Sequence, residues 1–153
     1  MEKQTKKERL NINVSTPVWV YWLPVVCWMA VIFFLSSRHS VTVSPEYFWN
    51  FMFFKTLHII EYAVLFTLTL RATHRSGGTS MKKSAYLRAY IITVLYAMTD
   101  EIHQQFVPSR QGAVRDVIID AIGAGVVWYY LLTQLPKAQK TLKNWANRLE
   151  IPY

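Results

Sequence analysis

Four apolar blocks in the sequence constrain the fold more than any other feature. They span approximately 17–37, 51–70, 85–106 and 117–135. A helix needs roughly 20 apolar residues to cross about 30 Å of hydrocarbon, and each block has about that length. Hydrophobic residues make up 52% of the chain and occur in long runs, which fits a soluble all-α bundle poorly. Because lipid offers no partner to the free backbone groups of a strand, we predict an all-α integral membrane bundle of four transmembrane helices.

The chain divides into three parts by composition. A basic N-terminal arm covers 1–16, the membrane domain covers 17–135 and a basic tail covers 136–153. The first apolar block is longer than the roughly 7–15 residues of a signal-peptide core and no small-residue cleavage site follows it, so we interpret it as a retained helix. The tail carries Trp145 and Leu149 among basic residues, which favours a position along the inner membrane surface.

The distribution of basic residues indicates how the helices are oriented. Most of the 17 Lys and Arg residues lie in the N-terminal arm, the second connection or the tail. Since short cytoplasmic loops collect Lys and Arg, we expect both termini in the cytoplasm and the first and third connections outside. The net charge of +8 then favours contact with anionic lipid. The basic residues form no recognisable nucleic-acid-binding motif, so we expect no nucleic-acid partner.

Charged and polar side chains gather in the outer halves of the last three blocks. An ionised side chain at membrane depth costs about 2.5–3.5 kcal/mol unless it faces a partner or water. Helical periodicity places these residues on stripes at similar depth, and the small residues of AIGAG (121–125) allow close helix packing. We expect 105–112 to form a tight turn that carries Arg110 over the cluster. The predicted result is one outward-facing pocket lined by Lys55, His58, Glu61, Tyr62, Asp100, Glu101, His103, Gln104, Arg110, Arg115, Asp116 and Asp120.

Two pairs of residues in this set have the spacing of metal ligands in helical bundles. His58 with Glu61, and Asp100 with His103, are each three positions apart on neighbouring antiparallel helices. Histidine and carboxylate side chains so placed bind divalent metals in bundle cores. The same spacing also occurs in structural ion networks. These four residues are therefore metal candidates only, and the sequence identifies no cofactor.

Several polar motifs mark the membrane region. They are SSRHS after the first block, KTLHIIEYAVL in the second, and DEIHQQFVPSRQGAVRDVIIDAIGAGV across the third and fourth. Together, over about residues 18–132, they resemble the VanZ-like family of bacterial membrane proteins, with Ser109 standing where the family pattern has glycine. The resemblance implies a multi-pass protein of the bacterial cytoplasmic membrane. The family's motif residues, carried over by position, are Lys55, His58, Tyr62, Asp100, Glu101, Gln104, Arg110, Asp116, Asp120 and Gly123.

Three functions remain open at the level of sequence. The first is a protein that binds or shields a lipid-linked or cell-wall component at the outer leaflet, with Lys55, Arg110 and Arg115 taking a phosphate or carboxylate. The family is named for an accessory protein of teicoplanin resistance, so the resemblance also implies lowered susceptibility to teicoplanin. The second function is an intramembrane hydrolase or transferase, with or without a metal. Arg110, Asp116 and Asp120 have the spacing of a lipid-phosphatase motif, but Asp116 stands where the nucleophilic histidine belongs. The third is a structural ion network, although buried ion pairs stabilise weakly. Whether the protein is an enzyme is undecided.

Overall fold

The computed structural model describes residues 16–38, 46–77, 82–108, 110 and 112–153, without the side chains of Tyr47 and Lys82. Within these ranges the elements are α1 (Trp19–Ser36), α2 (Tyr47–Ser76), α3 (Lys82–Gln104), α4 (Val114–Thr133), a 3-10 turn (Leu135–Lys137) and α5 (Lys140–Arg148). No strand occurs in the described part of the chain, and the predicted all-α class is confirmed. Ser109 and residues 1–15 of the predicted N-terminal arm lie outside the described residues.

The longest helix, α2, extends beyond the predicted block at both ends. It contains 30 residues, whereas the apolar block covers 51–70. The added C-terminal turns contain Ala72 and Thr73, which are both buried, and the Thr73 hydroxyl donates a hydrogen bond to the Ala85 carbonyl of α3 at 3.1 Å. Packing against α3 therefore continues the helix past the point where the apolar pattern ends.

The four long helices form a bundle in which α2 packs against the other three. Helices α2 and α3 are antiparallel, because Tyr62 contacts Asp100 whereas Thr73, further along α2, contacts Ala85. The same comparison applies to the other helices. Contacts from the start of α1 reach the end of α2, so these two helices are antiparallel, whereas contacts from the start of α4 reach the start of α2, so these two are parallel. We call the end of the bundle that contains Asp100 the polar end, and the opposite end the tail end.

Apolar side chains cover the outside of the bundle, and polar side chains lie inside. Large hydrophobic residues are exposed along all four long helices, among them Trp19, Phe34, Ile60, Leu95 and Val126. The buried polar residues are Ser36, Thr69, Thr73, Thr93, Asp100, Glu101, Gln104, Asp116 and Asp120. Charged residues are almost never fully buried in soluble proteins unless they are paired. An apolar exterior of this extent indicates contact with the lipid bilayer.

Among the described residues, three helices are long and apolar enough to cross a membrane. They are Trp19–Ser36, Phe48–Ser76 and Val114–Lys137. Helix α3 does not belong to this set, because it carries Lys82, Lys83 and Arg88 towards one end and Asp100 and Glu101 towards the other. Length and composition therefore support a membrane protein with several spans, and three of the four predicted spans are identified in this way.

The C-terminal tail docks on the tail end of the bundle. Glu150 accepts hydrogen bonds from Arg71 at 3.0 Å and from Arg75 at 2.5 Å, and the Tyr86 hydroxyl donates to the Pro152 carbonyl at 2.6 Å. The backbone of Glu150 lies in the left-handed region at φ 56°, which is uncommon for a residue other than glycine. The two arginine contacts fix this residue, so the tail is part of the fold.

One face of α5 and the residue after it remains uncovered. Leu142, Trp145 and Leu149 are exposed, whereas Ala146 is buried. An apolar face beside basic residues is typical of helices that lie on a membrane surface. The expected contact between the tail and the inner surface stays a prediction.

Glu150→Ala should loosen the tail, because it removes the acceptor of both arginine contacts. Partly exposed ion pairs contribute about 0.2–1 kcal/mol each, so we expect faster amide hydrogen exchange across 138–153 with little change in the global unfolding temperature. Asn144→Ala, on the exposed surface of α5, is the control and should leave the exchange rate unchanged. Equal exchange in Glu150→Ala and the wild type would contradict the docking contact.

Gly123 lets α4 approach α2 closely. A Cβ atom at this position would lie 3.1 Å from the Ile59 carbonyl oxygen, whereas at Gly125 the nearest atom would be 4.0 Å away. Alanine adds the same helix propensity at both positions, so the comparison isolates packing. We expect Gly123→Ala to be less stable than Gly125→Ala by about 1–3 kcal/mol in thermal unfolding of the detergent-solubilised protein. Equal stability of the two variants would contradict a tight α2–α4 contact.

Candidate functional site

Asp116, in the first turn of α4, is paired with two cations. Lys55 of α2 lies 2.5 Å from its Oδ2 atom, and Arg115 Nε donates to Oδ1 at 3.3 Å. The Arg115 side chain is 62% exposed and that of Lys55 only 15%, so solvent screens the Arg115 contact more strongly. The helix N-terminus adds a favourable field for this carboxylate. Asp116 therefore ties α4 to α2.

Asp100 of α3 accepts hydrogen bonds from residues on three helices. Ser36 of α1 donates to Oδ1 at 2.5 Å, while Tyr62 of α2 and Gln104 of α3 donate to Oδ2 at 3.4 and 3.0 Å. A buried polar group without such partners costs about 1–3 kcal/mol. Asp100, which is only 3% exposed, thus joins α1, α2 and α3 at the polar end.

Glu101 fixes the turn between α3 and α4. Its Oε2 atom accepts a hydrogen bond from the backbone N–H of Ala113 at 2.8 Å, at the N-terminal cap of α4. The chain passes so close here that a Cβ on Gly112 would lie 1.9 Å from the Glu101 carbonyl oxygen. The other carboxylate oxygen, Oε1, is buried without a hydrogen-bond partner in the described residues. One oxygen of Glu101 is therefore structural and one is free.

Asp120 of α4 and His58 of α2 meet beside these groups. His58 Nδ1 lies 3.4 Å from Asp120 Oδ1, but neither atom makes a well-aligned hydrogen bond. Asp120 is 1% exposed, and no residue of the described chain donates a hydrogen bond to either of its oxygens. Asp120 is thus less well satisfied than Asp100 or Asp116.

His58, Glu101 and Asp120 bring one nitrogen or oxygen atom each to within 4.8 Å of one another, and in the described part of the chain this is the group with metal-ligand geometry. The candidates from sequence spacing are His58, Glu61, Asp100 and His103. Only His58 is common to both sets. The structure therefore favours a different set of ligands, one from each of α2, α3 and α4.

The other three metal candidates lie outside this group. Asp100 is occupied by its own hydrogen-bond donors. The His103 ring lies against Phe33 of α1, with centroids 4.3 Å apart, and Glu61 lines a cavity on the α1 side of α2. Spacing by three residues places two side chains on one helix face, but it does not determine which neighbouring helix they meet.

A cavity of ≈160 Å³ lies between α1, α2 and the turn before α4. It is lined by Leu35, Ser36, Arg38, Phe54, Leu57, His58, Glu61 and Arg110. The Arg110 Nε atom donates a hydrogen bond to the Arg38 carbonyl at 3.2 Å, which keeps these two residues together. The cavity therefore combines two cationic side chains, the polar side chains of Ser36, His58 and Glu61, and an apolar side.

The residues predicted to line one pocket occupy two environments. His58, Glu61 and Arg110 line the cavity. The predicted residues that do not line it are Lys55, Tyr62, Asp100, Glu101, His103, Gln104, Arg115, Asp116 and Asp120. Most of this second group forms the buried network around the three acids on α3 and α4. The polar end thus has an open part and a closed part.

Two polar residues of the cavity, Ser36 and Arg38, are not among the predicted site residues. Both belong to the SSRHS motif, where a polar run directly follows an apolar helix. That motif is the signal that identifies them, although it names no partner. Their contacts with Asp100 and Arg110 appear only once α1 packs beside the later helices.

An apolar exterior, buried charges and several membrane-crossing helices define a multi-pass membrane protein. Residues 21–135 match the model of the VanZ/LLP1 family. The chain belongs to the VanZ/LLP1 family, and the resemblance seen in the sequence motifs is confirmed. No curated protein and no solved structure matches the chain.

Asp100→Ala should destabilise the bundle, because it removes the acceptor of the Tyr62 hydroxyl and the Gln104 amide and the contact of Ser36 with α3. The expected loss is about 1–3 kcal/mol, measured by thermal unfolding of the protein in detergent. Asp100→Asn keeps one acceptor oxygen and is the matched variant, with a smaller expected loss. An alanine variant as stable as the wild type would show that Asp100 does not hold the helices together.

Proposed function

We propose that the protein binds the anionic headgroup of a lipid-linked or cell-wall component at the outer leaflet of the bacterial cytoplasmic membrane. The cavity lined by Arg38 and Arg110 is the observation that carries this proposal. Guanidinium groups bind phosphate and carboxylate groups through paired hydrogen bonds. An anionic headgroup offers acceptor oxygens to these two guanidinium groups, and its hydroxyl or amine groups can donate to Glu61, which lines the same cavity.

The apolar side of the cavity favours a ligand that carries a hydrocarbon chain. Leu35, Phe54 and Leu57 line this side, and Leu35 and Leu57 are each 38% exposed. The apolar wall therefore continues onto the outer surface that faces lipid. A lipid-linked ligand would place its headgroup beside the arginines while its chain stays in the bilayer.

The proposal requires the polar end to face outside, with α3 as a fourth span. The 23 residues of α3 extend about 34 Å at about 1.5 Å per residue, which suits a bilayer core. Helix α3 also packs alongside α2 and α4, and its charged residues lie towards its ends. With four spans, the positive-inside distribution puts both termini in the cytoplasm and the cavity on the opposite side.

Family membership supports a link to antibiotic susceptibility. Teicoplanin-type lipoglycopeptides act on extracytoplasmic cell-wall precursors, on the side of the membrane that the cavity would face. A protein that binds or shields such a precursor would lower the susceptibility of the cell. Binding alone is sufficient for this effect, so the proposal requires no turnover.

A second candidate function, an intramembrane hydrolase or transferase, is favoured by the group of His58, Glu101 and Asp120. The lipid-phosphatase spacing does not support it, because Asp116 takes the place of the nucleophile and is paired with cations. A purely structural network accounts for Asp100 and Asp116. It does not account for the unsatisfied oxygens of Asp120.

Headgroup binding is tested with the purified full-length chain and the variants Arg38→Gln, Arg110→Gln and Arg148→Gln. Native mass spectrometry compares retention of phosphatidylglycerol, which is anionic, with that of phosphatidylethanolamine. A charge-assisted hydrogen bond contributes about 1.5–3 kcal/mol, so we expect each cavity variant to bind the anionic lipid about tenfold more weakly or worse. Arg148 lies in the tail, and its variant should bind like the wild type.

An equal loss in Arg148→Gln would show that the lipid follows net charge and would contradict a cavity site. The cellular readout is teicoplanin susceptibility of cells with empty vector, wild type, Arg110→Gln or Asp120→Asn, at matched membrane levels. Protection by the wild type that is lost in Arg110→Gln supports the proposal. Equal protection by the wild type and Arg110→Gln contradicts it.

A further inference from the structure

The group of His58, Glu101 and Asp120 at the polar end has the composition of a metal centre. Its members come from α2, α3 and α4, which pack on one another, so the group is built on helices and not on a loop. We propose that these three residues bind one divalent transition-metal ion of the Zn²⁺ or Mn²⁺ class.

Unsatisfied polar atoms point to a ligand at this position. Within the described residues, His58 Nδ1, Glu101 Oε1 and both carboxylate oxygens of Asp120 are buried without a hydrogen-bond partner. Burial of an ionised carboxylate is expensive unless the charge is paired or coordinates a metal, and Asp120 is only 1% exposed. A cation bound between these residues satisfies their free atoms together.

The neighbouring acids provide an internal comparison. Asp100 accepts three hydrogen bonds, and Asp116 is paired with Lys55 at 2.5 Å. Lys55 is thereby committed to Asp116 and does not satisfy Asp120. Among the buried carboxylates of the described chain, oxygens without a partner occur on Glu101 and Asp120 alone. These are the two acids that belong to the group with ligand geometry.

The donor set selects the class of ion. Imidazole nitrogen suits Zn²⁺ and carboxylate oxygen suits Mn²⁺, and one nitrogen with two carboxylates suits both. Two such ligands at about 2.1 Å from a tetrahedral ion lie about 3.4 Å apart, and the distance from His58 Nδ1 to Asp120 Oδ1 is 3.4 Å. The ligand atoms of the full group all lie within 4.8 Å of one another. Three protein ligands leave a position open for water or a further ligand.

Metal binding does not depend on headgroup binding. The metal site is inferred from ligand geometry and from unsatisfied buried atoms, and its test uses metal ions alone. His58 also lines the cavity, so a bound ion would lie beside the arginine-lined space. Failure of the lipid experiment would leave the metal site intact, and failure of the metal experiment would leave the arginine site intact.

Metal content of the full-length protein, with any affinity tag removed, tests the proposal. The protein in detergent is stripped with EDTA, incubated with a small excess of Zn²⁺ or Mn²⁺, desalted and measured by inductively coupled plasma mass spectrometry. We expect the wild type to retain about one ion per chain of at least one of the two metals. Asp120→Asn and Glu101→Gln should bind it more than about tenfold more weakly, since even residues behind the ligands contribute about 10–100-fold.

Glu150→Gln is the control. It removes a carboxyl group at the tail end of the bundle, far from the ligand group, so the variant should retain the ion. Thermal unfolding of each EDTA-treated variant shows whether it is folded. X-ray absorption of the metal-loaded wild type requires no variant, and it should show nitrogen and oxygen ligands at about 2.0–2.2 Å with imidazole scattering.

Three results would overturn the proposal. The first is a wild type that retains neither ion after desalting, which would leave His58 and Asp120 as a plain ion pair. The second is unchanged metal content in both Asp120→Asn and Glu101→Gln. The third is a sulfur ligand in the absorption spectrum, which would assign the ion to Cys27.

Discussion

The need for every buried charge to find a partner inside a lipid-facing bundle governs the rest of this structure. Apolar side chains cover the outside, so an ionised group buried within the helices has no bulk water around it. Lys55 forms an ion pair with Asp116, and the Ser36 and Tyr62 hydroxyl groups donate hydrogen bonds to Asp100. Each of these contacts also joins two helices. At the polar end, charge satisfaction and helix packing therefore depend on the same contacts.

Against this background, the acids that keep unsatisfied oxygens are the functional candidates. Within the part of the chain that the structure describes, Glu101 and Asp120 keep buried oxygens without partners, and buried charges of this kind contribute little to stability even when paired. Beside them, the cationic residues Arg38 and Arg110 line a cavity together with Glu61. The polar end thus places a supporting network beside two features of different composition, the group of His58, Glu101 and Asp120 and the cavity that Arg38 and Arg110 line.

Part of the site follows from local pattern alone. Helical spacing and the cost of charge in lipid predict that His58, Asp100 and Asp120 share one end of the bundle, and the structure brings them together. The same spacing also predicted that His103 lies with the residues around Asp120, whereas its ring lies against Phe33 of α1. It also did not identify Arg38, because that residue reaches the cavity only through the packing of α1.

The sequence by itself determined the helices, the apolar exterior and the end of the bundle that holds the charges. These properties depend on composition and on the period of a helix, which are local. Only the tertiary structure decided which acids are satisfied and which stay free. Ser36 contacts Asp100, Lys55 contacts Asp116 and the Ala113 N–H contacts Glu101. The partners in each contact come from different parts of the chain, so no local pattern predicts which of these contacts forms.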